Sequence, residues 1–235
     1  MWQSLNYKQQ CELWNDVSVF LTDERKELFE RLLENRTRHV VIAVEDIFHE
    51  HNSGALVRSA ECFGIQDVHV MEDENNFKVQ RGMAMGAEHW VSIKSHKAEV
   101  GIVSCVDELK ENDYTIVAAT PHHNDIELPD FIPDNKTAFF FGSEKAGVSP
   151  IVMEKADVHL RIPIYGATES FNVSVSSALI LQDMRAKLAK MNKEIWQLSN
   201  EEQVFLKLEW GLRTLKKPKI LVTDFYQRKG LSQLL

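Results

Sequence analysis

Hydrophobic positions change their period several times along the chain. From Asn6 to Asn35 the pattern is helical: Leu28, Phe29, Leu32 and Leu33 recur at helical spacing, and Asp23, Glu24 and Glu27 favour the positive end of a helix dipole. His39 to Val44 is a short β-branched run and predicts a buried strand. Helix and strand then alternate. Helices are predicted over Asn52 to Phe63 and Ala98 to Glu111, and a long one over Asn172 to Met191. Strands are predicted over Asp67 to Met71, Trp90 to Lys94, Tyr114 to Ala119, Thr137 to Phe141 and Val158 to Ile162. This alternation implies parallel strands joined by crossovers, hence an α/β sheet covered on both faces. Asn200-Glu201-Glu202-Gln203 has capping-box spacing and predicts one more helix to about Leu215, ended by Pro218, with a loosely held tail.

Composition adds bounds. With 235 residues, 44% hydrophobic and 26% charged, the chain suits one large globular domain with appendages. No apolar run reaches the roughly 18–20 residues of a membrane helix, and the first residues lack a basic stretch followed by an apolar one, so neither a membrane span nor a secretory signal is expected. Cys11, Cys62 and Cys105 are scattered and read as reduced, mostly buried thiols of a cytoplasmic protein. The net charge of −8 argues against a polyanionic partner. Its distribution argues the other way, because Arg185 to Leu235 holds eleven Lys and Arg against five Asp and Glu. That makes a basic C-terminal appendage on an acidic body, or a solvated helix face.

Three stretches carry candidate chemistry. The first, Asn52-Ser53-Gly54-Ala55-Leu56-Val57-Arg58, follows a strand and its loop. On a helix, Leu56, Ala60 and Phe63 share one face while Arg58 points about 200° away from Leu56. An arginine there suits a phosphate grip, or is simply a surface ion-pairing group. The second, Phe139 to Ser149, runs a buried strand into Gly142-Ser143-Glu144 and Gly147. Glycines at a strand's carboxyl end admit a ligand to the backbone, although an ordinary tight turn has the same composition. It is neither a Walker loop nor a dinucleotide fingerprint. The third, Ile162 to Val175, leads through a glycine-containing loop into Ser170, Phe171 and Asn172 at the start of the long helix. Such a helix start binds anions, and Ser170 or Asn172 is equally an ordinary N-cap.

In order and spacing, N-x-x-A-x-x-R, F-G-x-E-x-x-G-V-S and I-P-x-x-G-x-x-x-S-x-N-V-S-V resemble the three motifs of the SpoU/TrmH family of RNA ribose methyltransferases, over about Val40 to Lys190. Closest in character are the members that methylate guanosine in the D-loop of transfer RNA, which carry helical extensions at both ends. The resemblance implies an α/β fold with a C-terminal deep trefoil knot, a helical N-terminal extension over 1–37, a methyltransferase domain over 38–192 and a basic helical extension over 193–235. It implies S-adenosylmethionine as cofactor, RNA as partner (transfer RNA, with ribosomal RNA the alternative) and a homodimer whose active sites are completed across the interface. By motif position, Arg58 is the catalytic arginine, Asn52 a scaffold for its loop, Glu144 the acidic residue, and Ser170 and Asn172 the polar residues beside the ribose. The cofactor is expected against Thr120, Gly142, Ser143, Ile162, Gly166 and Phe171.

The chain departs from the family pattern at Phe171, Ile164 and Ser53-Gly54, where Leu, Met and a bulkier apolar residue are usual. No metal is expected: His49, His51 and His122-His123 lack a completing carboxylate or cysteine set. A non-catalytic RNA-binding or assembly protein is the reading from another class, opposed by the intact Arg58, Glu144, Ser170 and Asn172.

Overall fold

The structure is a computed structural model that describes residues 2–72, 75–97, 101–122 and 126–231. Its strands are β1 (Val40–Glu45), β2 (Asp67–Glu72), β3 (Ser92–Lys97), β4 (Thr115–Ala119), β5 (Ile126–Glu127), β6 (Thr137–Phe141) and β7 (Val158–Arg161). The helices are α1 (Tyr7–Ser18), α2 (Asp23–Leu33), α3 (Glu50–Cys62), α4 (Arg81–Ala84), α5 (Gly101–Glu111), α6 (Pro150–Lys155), α7 (Val173–Leu188), α8 (Lys193–Trp196), α9 (Asn200–Thr214) and α10 (Pro218–Arg228). The chain divides into two compact units, Thr37–Gln197 and a second one made of Met1–Arg36 with Leu198–Leu235.

The larger unit is built on a seven-stranded sheet in the order β3-β2-β1-β6-β4-β7-β5, with every neighbouring pair parallel. Parallel strands need covering on both faces, and the apolar runs provide for it because successive side chains alternate sides. Val40, Ile42 and Val44 pack with Leu56, Val57 and Ala60 of α3 and Ile180, Leu181 and Met184 of α7. Val41, Ala43 and Phe140 pack on the opposite face with Cys105, Val106 and Leu109 of α5 and Val152 of α6. Each large side chain so buried stabilises by roughly 1.5–3 kcal/mol.

The topology also places the site. From β1 the chain runs outward through β2 to β3, then returns to the other side of β1 for β4, β6 and β7. The carboxyl ends of β1, β4, β6 and β7 therefore open on one edge, at the kind of switch point where α/β sheets bind ligands.

Each predicted strand is present; Thr137–Phe141 keeps its bounds and the others shift at one or both ends. β3 starts at Ser92 because Trp90 closes a 3-10 turn over Ala87–His89. β5 is an addition to the predicted set; with two residues it is too short to leave a periodic signal. The helix predicted from Ala98 begins at Gly101 within the described residues, and 98–100 lie outside them. Of the cysteines only Cys105 is buried; Cys11 is half-buried and Cys62 exposed. No helix among the described residues is long and apolar enough to cross a membrane.

In the smaller unit, the predicted single helix over Asn6 to Asn35 is two helices. Asn6 caps α1 in a capping box with Gln9, and Thr22 caps α2 by accepting from Arg25 N. Two strong N-caps within one apolar pattern break it more effectively than the period continues it. The later capping box is Ser199 with Glu202, one residue earlier than predicted. Pro218 does not close a helix; it opens α10 as its first residue, where its missing N–H costs nothing. The two terminal segments share one core, with Leu13 and Val17 against Leu208, Leu212 and Phe225. A side chain at Gly211 would meet Val17 Cγ1 at 2.9 Å, so α1 and α9 meet where only glycine fits.

This pairing changes the charge picture. Lys207 pairs with Glu30, Lys229 with Glu12, and Arg228 with Asp16 and Asp224. The N-terminal acids thus neutralise three of the eleven cations in what reads as a basic appendage. Lys216, Lys217 and Lys219, around the turn between α9 and α10, are exposed and make no ion pair among the described residues.

Candidate active site

Three loops at the open edge of the sheet bring the motifs together. The β1 loop leads into α3, which carries Asn52 buried in its first turn. The loop after β6 folds back on itself: Gly147 N donates to Ser143 O at 3.0 Å, Ala146 N to Ser143 Oγ at 3.2 Å, and Gly147 has φ +69°. A Cβ on Gly142 would lie 1.8 Å from Gly147 C, so no side chain fits there. The segment after β7 ends at Asn172, whose Oδ1 accepts from Ser174 N at 2.8 Å and caps α7.

A chain of side-chain hydrogen bonds links the three. Asn172 Nδ2 donates to Asn52 Oδ1 at 3.2 Å, and Asn52 Nδ2 donates to Glu144 Oε1 at 2.7 Å. Glu144 also accepts from the backbone N–H of Phe48 (3.2 Å) and of His49 (3.4 Å). Partial burial pushes the Glu144 carboxyl up, but the donors from Asn52, Phe48 and His49 outweigh it and hold the group below the ordinary carboxylate range. Glu144 is therefore ionised at neutral pH, with its oxygens engaged by three donors. That suits an anchor between loops and not a base.

A cavity of about 510 Å³ lies beside this chain, lined by Thr120, Gly142, Ser143, Glu144, Ile162, Ser170 and Phe171 among others. Its size is that of a small-molecule site. Leu160, Ile162, Ile164, Val148 and Phe171 form apolar wall, while Thr120, Ser143, Ser170 and Glu169 supply polar atoms. Phe171 and Ile164, the two departures from the family pattern, both sit in that wall. Gly166 does not line the cavity, and a Cβ there would meet nothing within 4 Å.

Arg58 lies apart from the cavity lining. It is exposed on α3 and makes no hydrogen bond or ion pair among the described residues. Ser53 and Gly54, the third departure, are buried. A Cβ on Gly54 would approach Gln80 O and Met83 Cβ at 2.9 Å each, so the small residues let the 80–84 segment sit against α3. His122 lines the cavity, His123 falls outside the described residues, and His49 and His51 are exposed with stacked rings. The residues that sequence reasoning missed are Phe48 and His49, which act through backbone N–H groups that no side-chain pattern reveals.

Comparison with known proteins gives a consistent result. The SpoU rRNA Methylase family matches residues 39–182. A tRNA (guanosine(18)-2′-O)-methyltransferase of Borreliella burgdorferi is 33% identical over 85% of this chain and 90% of its own length. The crystal structure of the A. aeolicus TrmH/SpoU tRNA modifying enzyme superimposes with a TM-score of 0.74 at 26% identity, covering 83% of this chain and 98% of that one. The SpoU methyltransferase AviRb from Streptomyces viridochromogenes, solved in complex with AdoMet, shares the fold with a TM-score of 0.60 at 18% identity, over 69% of this chain and 65% of its own.

Proposed function

The chain belongs to the SpoU rRNA Methylase family, and from that premise we propose that it transfers a methyl group from S-adenosylmethionine to the 2′-hydroxyl of guanosine 18 in transfer RNA, the reaction named for its Borreliella relative. The observation that carries this reading is the Asn172–Asn52–Glu144 chain, which joins all three motif loops at the rim of the cavity.

The cavity suits the cofactor. Gly142, which has no room for a Cβ, presents bare backbone, and Ile162, Ile164 and Phe171 offer an apolar wall. Thr120, Gly142, Ser143, Ile162 and Phe171 would hold the cofactor, whose sulfonium supplies an activated methyl group. The protein's own task is then to align a weakly nucleophilic ribose hydroxyl and help remove one proton. Ser170, exposed at the cavity, and Asn172, fixed by its bonds to Asn52 and Ser174, stand where the ribose would be positioned. Arg58 grips the phosphate beside that ribose. A guanidinium holds its proton too tightly to serve as a base at neutral pH, so proton removal passes to water.

Because Arg58 is exposed and outside its own chain's cavity, it serves the cavity of a second copy in a homodimer. Tyr165, Phe171, Val175 and Leu179 support this: they leave apolar surface open at the start of α7, with Tyr165 97% exposed. The C-terminal part of the larger unit is threaded as a trefoil knot, as the family implies. Lys216, Lys217 and Lys219, which make no ion pair among the described residues, contact the phosphates of the transfer RNA, and the protein works in the cytoplasm.

The test uses two transcripts of one transfer RNA, one fully ribose and one with 2′-deoxyguanosine at position 18. Labelled methyl should enter the first and not the second. Equal labelling of both would refute the proposed position.

A further inference from the structure

On the face of the sheet covered by α5, three donor atoms converge. His69 lies on β2 and His96 on β3, and the register pairs Met71 with His96, so the two imidazoles are diagonal neighbours on the same face. Their rings stack at 5.3 Å, and His69 Nδ1 lies 3.0 Å from His96 Nε2. Cys105 of α5 completes the group, with Sγ 3.7 Å from the same His69 Nδ1, and all three donor atoms lie within 4.8 Å of one another. The methyl-transfer reading uses none of them.

These are costly residues to place in that core. His69 is 2% exposed and Cys105 0%, and Cys105 packs within the apolar cluster under α5. Their spacing fits an ion. Nitrogen at about 2.0–2.1 Å and sulfur at about 2.3 Å from a tetrahedral centre stand roughly 3.3–3.6 Å apart, and the two separations from His69 Nδ1, 3.0 and 3.7 Å, fall on either side of that edge. The charge around the site also favours a cation. Glu108, one turn beyond Cys105 on α5, acts on both the thiol and His96, and Glu45 acts on the thiol. Glu45 is itself buried, and its Oε1 has no hydrogen-bond partner among the described residues. Lys94 opposes, but it is drawn to Asp67 at 3.1 Å and Glu108 at 3.9 Å. His96 is only half-buried, which gives an ion an entry path and leaves a fourth position for water or Glu108.

We propose that His69, His96 and Cys105 form a binding site for a borderline-soft divalent cation, zinc being the one that matches two imidazoles and a thiolate. On binding, the Cys105 thiol releases its proton to solvent and the sulfur becomes the anionic ligand. The ion would tie the edge strand β3 and helix α5 to β2, apart from the methyl-transfer cavity.

Cobalt(II) chloride, added to the full chain after chelator dialysis, reports the ligands directly. The expected result is intense tetrahedral visible bands with a sulfur-to-cobalt charge-transfer band, saturating at one cobalt per chain and displaced by zinc chloride. Cys105→Ser should lose the charge-transfer band while keeping the native circular dichroism. If that variant does not fold, His96→Ala decides, since its half-buried ring can be removed with less damage; cobalt affinity should fall by about tenfold or more. A weak octahedral spectrum in the parent chain, a charge-transfer band that survives in Cys105→Ser, or unchanged affinity in His96→Ala would overturn the assignment.

Discussion

Asn52 donates its amide N–H to Glu144 Oε1 at 2.7 Å across 92 positions of sequence, and this bond fixes which way the amide faces. With its nitrogen committed to an ionised carboxylate, its oxygen is left to accept from Asn172 Nδ2. Replacing Asn52 by Ala severs both links and leaves Glu144 with only its backbone donors, and losing a hydrogen bond to a charged carboxylate costs about 1.5–3 kcal/mol. Turnover should fall about 100-fold through misplacement of Asn172, while cofactor affinity changes little. Single-turnover methyl transfer beside calorimetric titration with S-adenosylmethionine separates the two effects.

The same bond makes a pH signature. The folded-state pKa of Glu144 is depressed, so its contribution to stability is present above the unfolded carboxylate range and is lost as pH falls through the folded value. Chemical denaturation across a series of acidic buffers should show this loss in the parent chain. In Glu144→Gln the acid limb should be shallower; an identical limb would mean that Glu144 carries no such linkage.

Arg58 is exposed and uncommitted among the described residues, so its removal should leave the fold intact. Arg58→Ala should reduce methyl transfer by about 100- to 1,000-fold, the usual scale for removing one charged group beside the reacting atoms. Cofactor binding should be unchanged. Arg58→Lys should not rescue, because an ammonium lacks the planar fork. Loss of cofactor binding in a folded Arg58→Ala protein would contradict the role assigned to it.

Lys216 and Lys217 between α9 and α10, with Lys219 in the first turn of α10, have an effect separable from catalysis. Substituting Lys216, Lys217 and Lys219 together by Ala should weaken binding of transfer RNA and flatten the salt dependence by roughly 0.7–0.9 in log–log slope for each phosphate no longer neutralised. Methyl transfer at saturating RNA should be close to that of the parent. Filter binding at several salt concentrations measures both the affinity and its slope.

How much of the fold and site is legible in the sequence depends on whether a feature is local. Strands β1 and β6 are legible because buried parallel strands are unbroken apolar runs, and the three motifs because each is one contiguous segment, whereas the two-residue β5 leaves no such run. The break between α1 and α2 is not, since Thr22 looks like any surface threonine until its hydroxyl is seen accepting from Arg25 N. Pro218 misleads because proline ends one helix and opens another with equal ease, and only the chain beyond it decides. The approach of His69, His96 and Cys105 depends on the β2–β3 register and the placement of α5, so sequence spacing draws the eye instead to histidines adjacent in the chain. The pairing of Lys229, Arg228 and Lys207 with Glu12, Asp16 and Glu30 is hidden for the same reason: the partners lie at opposite ends of the chain.

The central claim is the reaction itself, and it is tested most directly by incubating the purified chain with labelled S-adenosylmethionine and undermodified total RNA. Nuclease digestion and mass spectrometry then identify the methylated nucleotide. The predicted result is 2′-O-methylguanosine at position 18 of transfer RNA. A methylated ribose found only in ribosomal RNA, or a methyl group on a base, would contradict it.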